Sequence, residues 1–195
     1  MNSKKQVLGI SSSVILSLLI ITVALNFQSL ETQPSDIAKL SGWFILEHRD
    51  IDGNLVTPIQ VHKNLITNEG MECIADLVFA TTDCTAEAKF SYVAVGLTNT
   101  SPVDGDTALN SESGTCSRVQ DATVDVDAAV TGQRNYTLIS VFSGANCEGE
   151  AYVEGGIFDA SSSGNMLATA IFSPSVTLSS GETLTITYNV TAKNT

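Results

Sequence analysis

Residues 182–192 read ETLTITYNVTA, and their alternation decides the fold. In an extended chain Leu184, Ile186, Tyr188 and Val190 fall on one side, and Thr183, Thr185, Thr187, Asn189 and Thr191 on the other. A period of two with one apolar and one polar set requires a strand that is buried on one face and wet on the other. Working back from this strand, short β-branched stretches recur between Gly, Asn, Asp and Ser punctuation, giving candidate strands at 42–49, 55–63, 89–97, 117–126, 134–143, 150–158 and 166–172. With 182–192 they make a mainly β chain of about eight strands, the pattern of an antiparallel β-sandwich of jelly-roll or immunoglobulin-like type. Asp52-Gly53 tolerates positive φ and marks a hairpin between the first two strands. One short helix interrupts the series over 67–79, with Thr67 or Asn68 as cap and Met71, Ile74, Leu77 and Val78 on its apolar face.

The composition suits one folded domain. The 195 residues are 43% hydrophobic and 15% charged, too apolar and too sparsely charged for a disordered chain. Nine basic against 21 acidic residues give a formal charge of −12, which repels phosphate backbones and argues against a nucleic-acid partner.

The N-terminus directs the chain to a membrane. Lys4 and Lys5 precede an uncharged apolar run over residues 7–25, close to the roughly 20 helical residues that cross a 30 Å hydrocarbon core. An N-terminal apolar helix at 1–25 is therefore expected, and both a retained anchor and a signal peptide cleaved after Ala24 stay open. In either case Lys4 and Lys5 stay cytoplasmic and the chain from Asn26 onward is exported to the cell envelope. Residues 26–41, with Pro34, read as a stalk, and 42–195 as the exported domain. Since the leader holds two of the nine basic residues, residues 26–195 carry seven against 21 acids.

Several segments resemble a known group in the same order along the chain: HKNLITNEG at 62–70, YVAVG at 92–96, GDTAL at 105–109, EGGIFD at 154–159, MLA at 166–168 and GETLTIT at 181–187. Together they are similar to structural β-sandwich domains of tailed-phage virion proteins and related archaeal envelope proteins. The resemblance implies a structural module without catalytic residues to carry over. The membrane segment and four cysteines are additions to that pattern, and they favour use of the module in a cell envelope.

Motifs for chemistry are sparse. Asp50-Ile-Asp-Gly-Asn54 begins like a calcium loop, but Leu55 and Val61 stand where an EF-hand needs Gly and Glu. Asp50, Asp52, Asp104 and Asp106 are the weak calcium candidates; otherwise neither a metal site nor a cofactor is expected. His48 and His62 lack ligand spacing and read as surface or edge residues. The chain has no Gly-x-Ser-x-Gly elbow, Walker loop or Cys-x-x-Cys pair, so no enzymatic activity is expected. Sequons at Asn99, Asn135 and Asn189 are glycosylation candidates for an exported chain.

Cys73, Cys84, Cys116 and Cys147 lie on the exported side, where disulfides persist. If strands 117–126 and 134–143 form a hairpin around 131–132, position 147 faces 116, which pairs Cys116 with Cys147 and leaves Cys73 to Cys84. The functional expectation is a non-enzymatic, surface-displayed structural or adhesion and assembly module, partnered by itself or by envelope proteins. The alternative is an extracellular glycan- or calcium-binding module. The loops around 98–116 and 144–149 hold no aromatic residue on which a sugar would stack, which favours the structural class.

Overall fold

Strand β10 (Thr183–Lys193) stands at the centre of its sheet, flanked along its whole length by β1 (Lys39–Arg49) and β7 (Gln133–Ser143). The computed structural model describes residues 39–79, 89–121, 125–127, 131 and 133–193. The remaining strands are β2 (Gln60–Lys63), β3 (Leu65–Ile66), β4 (Tyr92–Gly96), β5 (Val119–Gln120), β6 (Asp125–Asp127), β8 (Ala151–Phe158) and β9 (Met166–Thr177). Two helices, α1 (Asn68–Phe79) and α2 (Gly144–Cys147), complete the described elements. Sheet A has the order β2-β1-β10-β7-β6 and sheet B the order β3-β9-β8-β4-β5, with every paired strand antiparallel.

The alternation in β10 does what its period requires. Leu184, Ile186 and Tyr188 are wholly buried, while the threonines between them are partly exposed. One core joins the inner faces of both sheets, from Phe44, Leu138 and Tyr188 on sheet A to Val93, Ile157 and Phe172 on sheet B. Phe44 spans the layers, with its ring 4.9 Å from Tyr188 and 5.9 Å from Phe172. Burial holds the Tyr188 phenol far above its ordinary pKa, so its hydroxyl stays neutral. That hydroxyl accepts from Asn64 Nδ2 at 3.0 Å, and Asn64 Oδ1 accepts from the Gly42 amide at 2.8 Å, so the buried polar groups at this point satisfy one another.

Several expectations are corrected. The stretch 55–63 contains a strand only over β2, because Pro58 has no amide to donate and the chain at 56–59 leaves the ladder after the Arg49–Leu55 bridge. The stretch 117–126 is two short strands in different sheets: β5 pairs with β4 in sheet B, and β6 with β7 in sheet A. The described strands therefore number ten. His48 is buried at 5% exposure, facing inward on β1 with Nε2 3.0 Å from a Glu182 carboxylate oxygen. The hairpin turn at 50–54 forms, and Asp50 closes it by accepting the amides of Asp52 and Asn54 at 3.0 and 2.8 Å.

Helix α1 is capped by Thr67, whose hydroxyl accepts from the Gly70 amide at 3.1 Å and donates to the Met166 carbonyl. Its buried positions are Gly70, Cys73 and, in part, Ile74, whereas Met71 is 41% exposed. Of the expected apolar face Ile74 is thus turned inward and Met71 outward, and the small residue Gly70 brings the first turn of the helix onto β9. A Cβ at Gly70 would stand 2.6 Å from the Leu167 Cα. Gly70→Ala is accordingly expected to lower stability by about 1–3 kcal/mol, measured by chemical denaturation. Gly105→Ala, where an added Cβ meets nothing within 4 Å, should change little.

The apolar segment 7–25, residues 26–38 of the stalk expected at 26–41, and Cys84 lie outside the described residues; residues 39–41 of that expected stalk belong instead to β1, where they pair with β10. Among the described residues no helix is long and apolar enough to cross a membrane.

Candidate assembly surface

Sheet A turns its second face outward, and that face is not uniformly polar. Trp43, Val61, Ile139 and Val141 are 46, 58, 51 and 52% exposed, and Ile45 is partly exposed among them. The register aligns Val61, Ile45, Thr187 and Ile139 in one row across four strands, and Lys63, Trp43, Asn189 and Thr137 in another. Thr187 of β10 stands between Ile45 and Ile139 in the first row. Grouped apolar side chains on an outer face, rimmed by polar ones, mark an interaction site more often than isolated exposed residues do.

The edges offer less. The edge strands β2, β3, β5 and β6 have four, two, two and three residues, and such short edges give little template for strand addition. Beyond β6, the Ile139 amide of β7 donates to an Asp121 carboxylate oxygen. The sheet face, rather than its edge, is the larger free surface.

Two sequons lie on this face and interlock. Thr137, the hydroxyl residue of the Asn135 sequon, donates to Asn189 Oδ1 at 2.8 Å, and Thr191, that of the Asn189 sequon, donates to Asn135 Oδ1 at 2.9 Å. Each motif therefore supplies the partner of the other across β7 and β10, a cross-strand polar ladder. Asn99 lies exposed in the loop after β4.

The outer face of sheet B is instead covered by the loop 97–118. Ala94, Leu109, Phe158 and Met166 form a small second core beneath it. Arg118 secures the loop: its guanidinium makes paired contacts of 2.7 and 2.8 Å to the Glu112 carboxylate, donates to the carbonyls of Ala160 and Ser163, and lies 3.5 Å from the centre of the Phe158 ring. Glu154 is buried below, 1% exposed, and accepts from the Asn110 amide at 3.2 Å. Neither role was singled out from sequence. A glutamate inside the apolar run of β8 was the available signal for Glu154; for Arg118 no local signal exists.

Burial raises the Glu154 pKa, and the Asn110 donors offset only part of that. A carboxyl raised on folding lowers stability above its folded pKa and has no such effect below its unfolded value, near 4.5. Glu154→Gln is therefore expected to be more stable than wild type at pH 8, with the gain fading as the pH falls from the raised folded pKa towards 4.5. Denaturant midpoints across pH measure this. Glu182 has the opposite sign: donors from Ser179 and His48 lower its pKa, so its contribution is lost on acidification.

Of the four aspartates considered for calcium, Asp50 and Asp106 use their carboxylates to close local turns. Asp50 caps its own loop, which lowers its pKa through the Asn54 donors. Asp106 accepts from the Val103 amide at 2.8 Å, the Asp104 carbonyl accepts from the Asn68 amide at 2.7 Å, and Asp52 is exposed in its turn. Among the described residues no group of three or more His, Cys, Asp and Glu is arranged to hold a metal ion.

Cys116 and Cys147 are joined in a disulfide with their Cα atoms 4.6 Å apart. They do not face each other across a hairpin. Cys116 ends a turn closed by its amide on Ser113 Oγ, before β5 of sheet B, and Cys147 ends α2, after β7 of sheet A. The bond thus ties the covering loop of one sheet to the exit of the other. Cys73 is also disulfide-bonded, and Cys84, expected as its partner, lies outside the described residues.

An apolar cavity of about 930 Å³ opens between the sheets, lined by Leu40, Ile74, Phe90, Leu138 and Val190 with Lys89 among the polar groups. Phe90, Tyr136 and Tyr188 supply its aromatic lining.

The family model described as "Podophage GP4 fiber I protein gp80" matches residues 66–192, from β3 to the last turn of β10. No curated protein matches the chain.

Proposed function

We propose, for a chain that belongs to the podophage GP4 fiber I protein gp80 family, that it is a non-enzymatic structural module displayed outside a membrane, and that the outer face of sheet A is where it assembles with other proteins. The family gives the structural virion class; the envelope setting rests on the basic residues and apolar run at 1–25. The observation that carries the assembly reading is the aligned group of Trp43, Ile45, Val61 and Ile139 on a sheet face. A sandwich needs only one apolar face per sheet, so a second apolar group has no role in folding the domain. Arg118 and, on β8 beneath the loop, Glu154 are used in holding the covering loop, and the interlocked sequons join β7 to β10 on the assembly face.

Ile139→Glu tests this in the full chain. Because the side chain is exposed, the variant is expected to fold normally and to fail to incorporate into the high-speed sedimenting assemblies that contain the wild type. Normal incorporation of a folded variant rejects the face. Membrane partition of the full chain, and its loss on deleting residues 1–26, tests the envelope setting. Specific signals on a glycan array would favour the binding-module reading instead.

A further inference from the structure

A close-packed protein interior leaves few voids larger than a water molecule, yet an apolar cavity of about 930 Å³ opens between these sheets, where β1 begins and β10 finishes. Pockets that enclose a small molecule measure about 300–1,000 Å³, so this one stands at the upper end. Leu138, Tyr188 and Val190 form its sheet A wall, and Leu167 of β9 and Ile74 of α1 lie on the other side. The Tyr188 hydroxyl brings no unmet polarity to it, because that oxygen accepts from Asn64.

Polar groups gather on one lip. Lys89, Ser91 and Gln120 line the cavity from the approach to β4 and from β5 beside it. Gln120 Nε2 donates to Ser91 Oγ at 3.4 Å, and the Asp121 amide donates to the Ser91 carbonyl at 2.8 Å. Lys89 is exposed and makes no ion pair among the described residues. Asp121 is the one carboxylate among the described lining residues, and it is already engaged by the Ile139 amide of β7. An apolar interior with a cation and two neutral hydrogen-bonding groups at its mouth fits an amphiphile with a long apolar tail and an anionic head. Each buried methylene of the tail is favourable, and the ammonium meets the head in a charge-assisted hydrogen bond.

We propose that this cavity is a binding site for a fatty acid, with the acyl chain between the sheets and the carboxylate at Lys89, Ser91 and Gln120. The outer face of sheet A has no part in it, so the site goes beyond the assembly reading and stands without it.

Photolabelling of the full chain provides the test. The protein is mixed with phosphatidylcholine vesicles that carry a trace of palmitic acid bearing a mid-chain diazirine, then irradiated, digested and mapped by mass spectrometry. Label is expected on Leu138, Leu167 and residues 188–192, and excess unlabelled palmitic acid should abolish it. Ala192, partly exposed, pairs with Leu40 at the mouth, so Ala192→Trp should block entry and remove the label while the melting temperature holds. Should that variant lose stability, the competed label in the wild type decides alone. In Lys89→Gln, label from the acid should fall several-fold, while label from the matching diazirine alcohol should not change. Ile139→Glu, on the outer face, should leave all labelling as in the wild type, which separates this site from the assembly surface. Label confined to residues 1–25 reports contact with the bilayer alone and overturns the site, as does cavity label that persists under excess palmitic acid. Equal loss of acid and alcohol label in Lys89→Gln overturns the placement of the carboxylate.

Discussion

Replacing Cys116 and Cys147 together by Ala is expected to lower stability by about 3 to 4 kcal/mol, the cost of releasing a cross-link over a sequence separation of 31 residues. Both cysteines are buried, at 1 and 3% exposure, so a small packing loss adds to the entropic effect. Loss of the bond should be felt on both sheets, because it joins the turn before β5 to the end of α2. Hydrogen exchange should rise at 113–120 and at 144–150, and the denaturant midpoint should fall. A change below 1 kcal/mol would mean that the Ser113–Cys116 turn and the capped α2 hold these segments without the cross-link. The double substitution is preferable to a reductant, which would also open the bond made by Cys73.

Arg118→Ala is expected to cost about 2–3 kcal/mol, because it removes charge-assisted hydrogen bonds made by a buried guanidinium while the Glu112 carboxylate it leaves keeps access to water. Its side chain is only 4% exposed, and it makes the paired contact with Glu112, two carbonyl contacts and the stack on Phe158. Arg118→Lys should rescue little, since an ammonium cannot reproduce the planar fork or the stacking. The damage is expected to concentrate in the loop 97–118 and around Ala160–Ser163, read by local hydrogen exchange, with the central strands of sheet A protected as before. If the loop keeps its protection in the Ala variant, Leu109 on Phe158 is the anchor and the guanidinium is secondary.

How much of this was legible in the sequence depends on the range of the interactions. Strand β10 was the clearest element because its period of two is a local property, and β1, β7 and β8 followed for the same reason. The cap of α1 by Thr67 was legible from its place before the helix. The exposure of Met71 was not, because the seating of the first turn is set by the close approach of Gly70 to the Leu167 backbone, a contact almost 100 residues away. Likewise, 117–126 is uniformly strand-like, and only the partners β4 and β7 divide it between two sheets. Its division removed the hairpin geometry that had linked position 116 to 147, although the two cysteines meet by another route. The assembly face was half legible. Trp43, Ile45, Ile139 and Val141 are visible as apolar residues at outward positions, but only the register places them on adjacent strands.

Trp43 is the only tryptophan in the chain, and it stands in the middle of the face on which the account depends. The most direct test is therefore acrylamide quenching of its fluorescence in the full chain, in detergent, as dispersed and assembled states are compared at equal protein concentration. Being 46% exposed in the single copy, Trp43 should be readily quenched when dispersed, and become several-fold less accessible with a blue-shifted emission when assembled. Equal quenching in the two states would place the contact elsewhere and contradict the assignment of sheet A as the assembly surface.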